Sequence, residues 1–165
     1  MPHGNLDSSP HPALRQSKEK TMTTPLPHIL IVEDDDIIRM LLCEILSLQA
    51  ASIRAASDGQ AALQMIQSAL PTILISDLHM PIMSGFELLA IVRQHYPQIH
   101  VIATSGAFCG PDIPPGVAAD AYYEKTSGIR HLIGLIERCT QNDHPFVRAQ
   151  RIPPQSAHQG YQVAA

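Results

Sequence analysis

The chain has 165 residues, of which 45% are hydrophobic and 16% charged, with a formal net charge of −4. That is room for one ordinary domain with a packed core, which excludes a wholly disordered chain. No apolar run approaches the ~20 residues needed to cross a bilayer, so a membrane-spanning role is excluded from the reading. Residues 28–140 carry six Lys/Arg against twelve Asp/Glu. An acidic core without a basic cluster argues against nucleic acid, whose binding rests on phosphate neutralisation.

Residues 1–27 are rich in Pro, Ser, Thr and His without an apolar period, and read as a disordered lead. Met22 begins MTTPLPHILIV directly ahead of the first strand, which makes it a candidate translation start. HILIV (28–32) is a β-branched apolar run, as expected of a strand buried on both faces. Asp36 is the expected cap of a helix over 37–48, with Ile38, Leu41, Leu42, Ile45 and Leu46 as its apolar stripe. SIRAA (52–56) is a weaker strand. A helix over 59–69 follows, through Ala62, Met65 and Ile66, and Pro71 closes it.

ILIS (73–76) is a third strand. Ser84 caps a helix to about Tyr96 with Phe86, Leu89 and Val92 inward. IHVIAT (99–104) and AYYE (121–124) are the last strands, and 129–139 is the final helix, with Ile129, Leu132, Ile133 and Ile136 on one face. Between those two strands, Pro111, Pro114 and Pro115 leave room for about one helical turn. Residues 141–165 again show proline punctuation and read as a flexible tail too short for a second domain. Five strands joined by helical crossovers give a parallel α/β sheet with helices on both faces. Cys43, Cys109 and Cys139 form no CxxC and leave one over. Free thiols and a cytoplasmic address are therefore expected. The nine histidines show no zinc-ligand spacing.

Chemistry gathers at the strand ends. The first strand runs into Glu33 and Asp34, the third ends at Asp77, the fourth at Ser105 and the fifth at Lys125. Ligands in an open α/β sheet bind outside the carboxyl ends of the strands, so these residues share one edge. Three carboxylates there repel one another by roughly 4 kcal/mol per pair at ~4 Å and an effective dielectric of ~20. An all-oxygen set calls for Mg²⁺, with Mn²⁺ as the other candidate. Such an ion cancels the repulsion and steadies an incoming phosphoryl oxygen. One carboxylate then serves as nucleophile. Asp77 is best placed, alone on the central strand and flanked by the Ser105 hydroxyl and the Lys125 ammonium.

ILIVEDDD, ILISDLHMPIMSGFELL, VIATSG and ADAYYEK together resemble the receiver domains of two-component response regulators, over roughly residues 28–140. Asp77, Pro81 and Gly85 form its Asp-x3-Pro-x3-Gly motif. The acidic pair stands 43 and 44 residues upstream, the hydroxyl 28 and the lysine 48 downstream. The resemblance implies a flavodoxin-like, doubly wound sheet of order 2-1-3-4-5. It implies that Asp34 ligates the metal directly, that Glu33 acts through water, and that the backbone carbonyl of His79 completes the site. Asp77 is then the phospho-acceptor, Ser105 the switch hydroxyl, Lys125 its ionic partner, and Tyr122 the aromatic that turns inward with the hydroxyl. The donor implied is a histidine kinase or histidine phosphotransfer protein. The implied role is a stand-alone, non-enzymatic phospho-switch acting on an unidentified protein partner or a relay.

Thr126 stands where the family has proline in a cis bond, so a trans bond or a reshaped loop is expected. Gly106 replaces the commoner alanine after the switch residue. Asp35 and Asp36 read as cap and first-turn dipole partners rather than ligands, and the His79 ring as a solvent-facing group over the site. Two other readings stay open. A phosphatase of the haloacid dehalogenase type would need an aspartate two residues after the nucleophile, where His79 stands. A receiver-like interaction module with vestigial phosphorylation is the alternative that the missing proline favours.

Overall fold

A computed structural model describes residues 25–107 and 113–141. Residues 1–24 of the expected lead, most of the tail, the start at Met22, Cys109 and Pro111 lie outside the described residues. Five strands, β1 (His28–Val32), β2 (Ser52–Ala56), β3 (Ile73–Asp77), β4 (His100–Ser105) and β5 (Ala121–Glu124), form one parallel sheet in the order β2-β1-β3-β4-β5. Among the described residues four α-helices accompany it: α1 (Asp36–Leu46), α2 (Gly59–Ser68), α3 (Gly85–His95) and α4 (Ile129–Gln141). The chain leaves β1 toward β2, then returns past it to β3. The crevice where order reverses therefore lies between the ends of β1 and β3.

The strand sequences alternate between two cores, because successive side chains point to opposite faces. Leu30, Val32, Leu74, Val101 and Ala103 join Leu88, Leu89 and Val92 of α3 on one side. Ile29, Ile31, Ile73, Ile75 and Ile102 join Leu132, Leu135 and Ile136 of α4 on the other. Burying a side chain of this size contributes ~1.5–3 kcal/mol, so a polar substitution in either layer would open the sheet.

Helix starts follow local chemistry. Asp58 caps α2 by accepting from Ala61 N at 2.9 Å. Ser84 and Glu87 form a capping box on α3, and the hydrogen bonds from Ser84 hold the Glu87 carboxyl below its usual range. The α1 cap corrects the sequence reading by one residue. Asp35, not Asp36, accepts from Ile37 N and Ile38 N, at 2.8 and 3.0 Å, while Asp36 lies in the first turn and pairs with Arg39. The α1 stripe is also shallower than expected: Leu46 is buried, whereas Leu41 is half exposed. In α3 Leu88 is buried and Phe86 only partly so.

The last crossover is irregular. Among the described residues no helix lies between β4 and β5. Pro114 to Val117 make a turn, closed by Val117 N on Pro114 O at 3.1 Å, with Gly116 at φ 84°. Val117, Ala118 and Ala119 pack on the core in place of a helix. Arg93 of α3 anchors this stretch, its guanidinium 3.0 Å from Asp120, in a mostly buried pair. Among the described residues no peptide bond is cis, Thr126 included, as expected at that position. No helix among them is long and apolar enough to cross a membrane, and Cys43 and Cys139 are free thiols.

Candidate functional site

Glu33 and Asp34 follow β1 directly, and Asp77 is the last residue of β3, so the switch-point crevice opens between them. One carboxylate oxygen from each lies within 4.8 Å of the others. Glu33 and Asp77 are buried and Asp34 is exposed. Lys125, just past β5, spans the gap: Nζ donates to Asp77 Oδ2 at 2.6 Å and to Glu33 Oε1 at 3.0 Å. The other Asp77 oxygen, Oδ1, accepts from His79 N at 3.1 Å. The acceptor carboxylate is thus held at both oxygens.

The loop after β3 shows why the motif residues stand where they do. A Cβ on Gly85 would lie 1.9 Å from Asp77 O and 2.7 Å from Leu78 Cα, so only glycine lets α3 start against the end of β3. Gly85 N donates to Leu78 O at 3.1 Å and locks that approach. Pro81 leads into a γ-turn, with Met83 N on Pro81 O at 2.8 Å and Ile82 at φ 68° between them.

Ser105 ends β4 as a buried residue. Its Oγ accepts from Ala107 N at 3.0 Å and lies 3.4 Å from His79 Nδ1. His79 is exposed over the site, as the sequence reading expects, with Nδ1 toward Ser105 and its ring in a T-shaped contact with Phe86. Tyr122 is 3% exposed and its hydroxyl donates to Ser105 O at 3.4 Å. The aromatic is turned inward, in the core against which Val117, Ala118 and Ala119 pack.

Burial pushes the Glu33 carboxyl above its ordinary range, although the hydrogen bond and charge of Lys125 pull it down; Asp77 and Asp34 add to the rise. Burial also works against the Lys125 ammonium, but hydrogen bonds to Asp77 and Glu33 outweigh it, and its pKa rises. Three carboxylates against one ammonium leave a formal charge of −2 at the crevice. Glu33 Oε2 is 2.9 Å from Lys125 Nζ yet accepts no well-aligned hydrogen bond. A hard divalent cation fits this all-oxygen, doubly negative set.

A parallel sheet of order 2-1-3-4-5 with an acidic crevice at its switch point is the arrangement of the receiver class. The response regulator receiver domain family matches residues 29–133, and the chain belongs to that family. The transcriptional activator protein ExaE of Pseudomonas putida is 38% identical over 76 residues, 45% of this chain and 36% of its own. The DNA-binding transcriptional regulator NtrC of Proteus hauseri is 30% identical over 116 residues, 67% of this chain and 24% of its own. The chain therefore spans about a quarter to a third of the length of these relatives. Among solved structures, the response regulator TrrA of Thermotoga maritima in complex with Mg²⁺-BeF is similar, with a TM-score of 0.62 and 28% identity. That match covers 67% of this chain and 96% of TrrA.

Proposed function

We propose that this receiver accepts a phosphoryl group on Asp77 from a phosphohistidine, supplied by a histidine kinase or a histidine phosphotransfer protein. An Asp77 carboxylate oxygen attacks phosphorus, the P–N bond breaks, and the electron pair leaves with the donor imidazole. The observation that carries this reading is the Lys125 contact with both Asp77 and Glu33. An ammonium already sits against the acceptor, within reach of a phosphoryl oxygen placed there.

Glu33, Asp34, Asp77 and the carbonyl of His79 are the residues that would hold Mg²⁺, or Mn²⁺, between 28 and 140. When bound, the ion shields charge on the transferring group. Lys125 then neutralises one phosphoryl oxygen, and the Ser105 hydroxyl donates to another after leaving Ala107 and His79. Phosphorylation adds about −1.5 to −2 charge. The movement of Ser105, on whose carbonyl Tyr122 rests, is the event that reshapes the β4–β5 face.

The donor needs a surface beside the pocket. Ile37, Met40 and Leu41 stand exposed on α1. Ile38, Leu42, Tyr123 and Ile129 border a mostly apolar cleft of about 250 Å³ that reaches Lys125. That supports docking of an apolar helix from the donor. Output through a protein partner or relay rather than nucleic acid is favoured by the acidic balance of residues 28–140. A cytoplasmic, non-enzymatic switch is part of the same proposal. Radiolabelled phosphotransfer, from a kinase or from acetyl phosphate, tests it. Labelling of the native protein that Asp77→Asn abolishes is expected, and equal labelling of both would overturn the assignment.

A further inference from the structure

The acidic pair stands on the turn that leaves β1, and a turn carries its side chains wherever its backbone goes. Arg39 lies in the first turn of α1, where its own N–H donates to Asp35 O at 2.9 Å. Helical side chains lean toward the helix N-terminus. This one therefore reaches back over the turn, and only 20% of it is exposed. Nη1 donates to Glu33 O at 2.7 Å and to Asp34 O at 3.3 Å, while Nη2 pairs with the Asp36 carboxylate. The Glu33 residue is gripped on both sides, since its N–H donates to Ala56 O at 3.1 Å.

We infer that Arg39 is a positioning residue for the divalent-cation site: through the carbonyls of Glu33 and Asp34 it fixes where their carboxylates stand. The inference rests on the metal-binding reading of the crevice. A planar fork of donors spans two carbonyls and a carboxylate at once, which a compact ammonium does not. Mg²⁺ demands near-octahedral geometry, so a released turn weakens binding. The charge of Arg39 acts with the opposite sign, because one cation repels another. Its loss alone would tighten Mg²⁺ binding, and the two effects are separable.

The experiment titrates Mg²⁺ into the full chain, native, Arg39→Lys and Arg39→Gln, by calorimetry. Amide hydrogen exchange at Glu33, whose N–H donates to Ala56 O, is followed in the metal-free proteins. Arg39→Lys, which keeps the charge, is expected to bind Mg²⁺ about 10-fold more weakly, the scale seen when a partner of a metal ligand is lost, and Arg39→Gln more weakly than native by a smaller factor. Exchange at that amide should accelerate in both. Native affinity in both variants overturns the inference, as does native affinity in Arg39→Lys with tighter binding in Arg39→Gln, the signature of charge alone. If Arg39→Gln does not fold, Arg39→Lys decides by itself. Native protein that takes up no Mg²⁺ overturns the metal site and this inference together, whereas native uptake with unchanged variants overturns this inference only.

Discussion

Lys125 Nζ lies 2.6 Å from Asp77 Oδ2, closing a contact between residues 48 apart in the chain, and the same ammonium reaches Glu33 at 3.0 Å. One cation thus holds two buried carboxylates from different strands in place. Removing it leaves both without their counter-charge, and breaking a buried pair this way costs about 3 kcal/mol. Lys125→Met should unfold at clearly lower urea than the native protein without metal. Added Mg²⁺, which binds only the folded state, should recover more stability in the variant than in the native protein. Equal urea midpoints without metal would show that the lysine contributes nothing to the resting pocket.

Gly85 marks the tightest approach in the site. With 1.9 Å between a new Cβ and Asp77 O, Gly85→Ala must push α3 away from β3. Overpacking against backbone costs ~1–3 kcal/mol, and the displaced backbone is that of the phospho-acceptor. A lower urea midpoint is expected together with slower labelling of Asp77. A variant with native stability would mean that the α3 start adjusts freely.

Ile82 is the reverse case. Its φ of 68° suits glycine, and a β-branched residue there is strained. Its side chain is 79% exposed, so little packing is lost on removing it. Ile82→Gly should raise stability by about 1 kcal/mol, the relief of strain exceeding the extra entropy of glycine. Thermal unfolding measures it, and a fall in Tm would show that the isoleucine packs usefully in the folded chain.

Glu33 gives a pH dependence. Burial raises its carboxyl in the folded state above the ordinary value of 4.5. The folded protein then keeps a proton that the unfolded chain has released. The stability associated with that proton is complete below 4.5 and is lost as pH rises through the folded value. Relative to Glu33→Gln, the metal-free native protein should therefore weaken as pH is raised from about 4 to neutrality. Urea melts of both proteins across that range check the sign, and parallel profiles would place the Glu33 carboxyl at its ordinary value.

Much of the architecture was legible in residue order. Short strand-like runs, the cap at Ser84, and Pro71 as a terminator are local signals. The backbone answers to them locally. The chemistry at the strand ends was legible for the same reason. Residues just past strands in a parallel sheet must emerge at one edge, so Glu33, Asp34, Asp77, Ser105 and Lys125 share it.

What the chain order left open were choices among near-equal partners. Asp35 and Asp36 are both acceptable caps, and it is Asp35 whose backbone is extended and whose carboxylate meets the free N–H groups. Residue order carries no signal for the Arg39 contacts, because the Glu33 and Asp34 carbonyls come within its reach only once the turn folds. The inward Tyr122, the His79 ring turned to Ser105 and the Arg93–Asp120 pair each join elements at least 17 residues apart. Such contacts are decided by packing, since no periodicity within a strand or helix encodes which distant side chain arrives. Sequence alone determined which groups reach the sheet edge; the tertiary structure decided which of them touch.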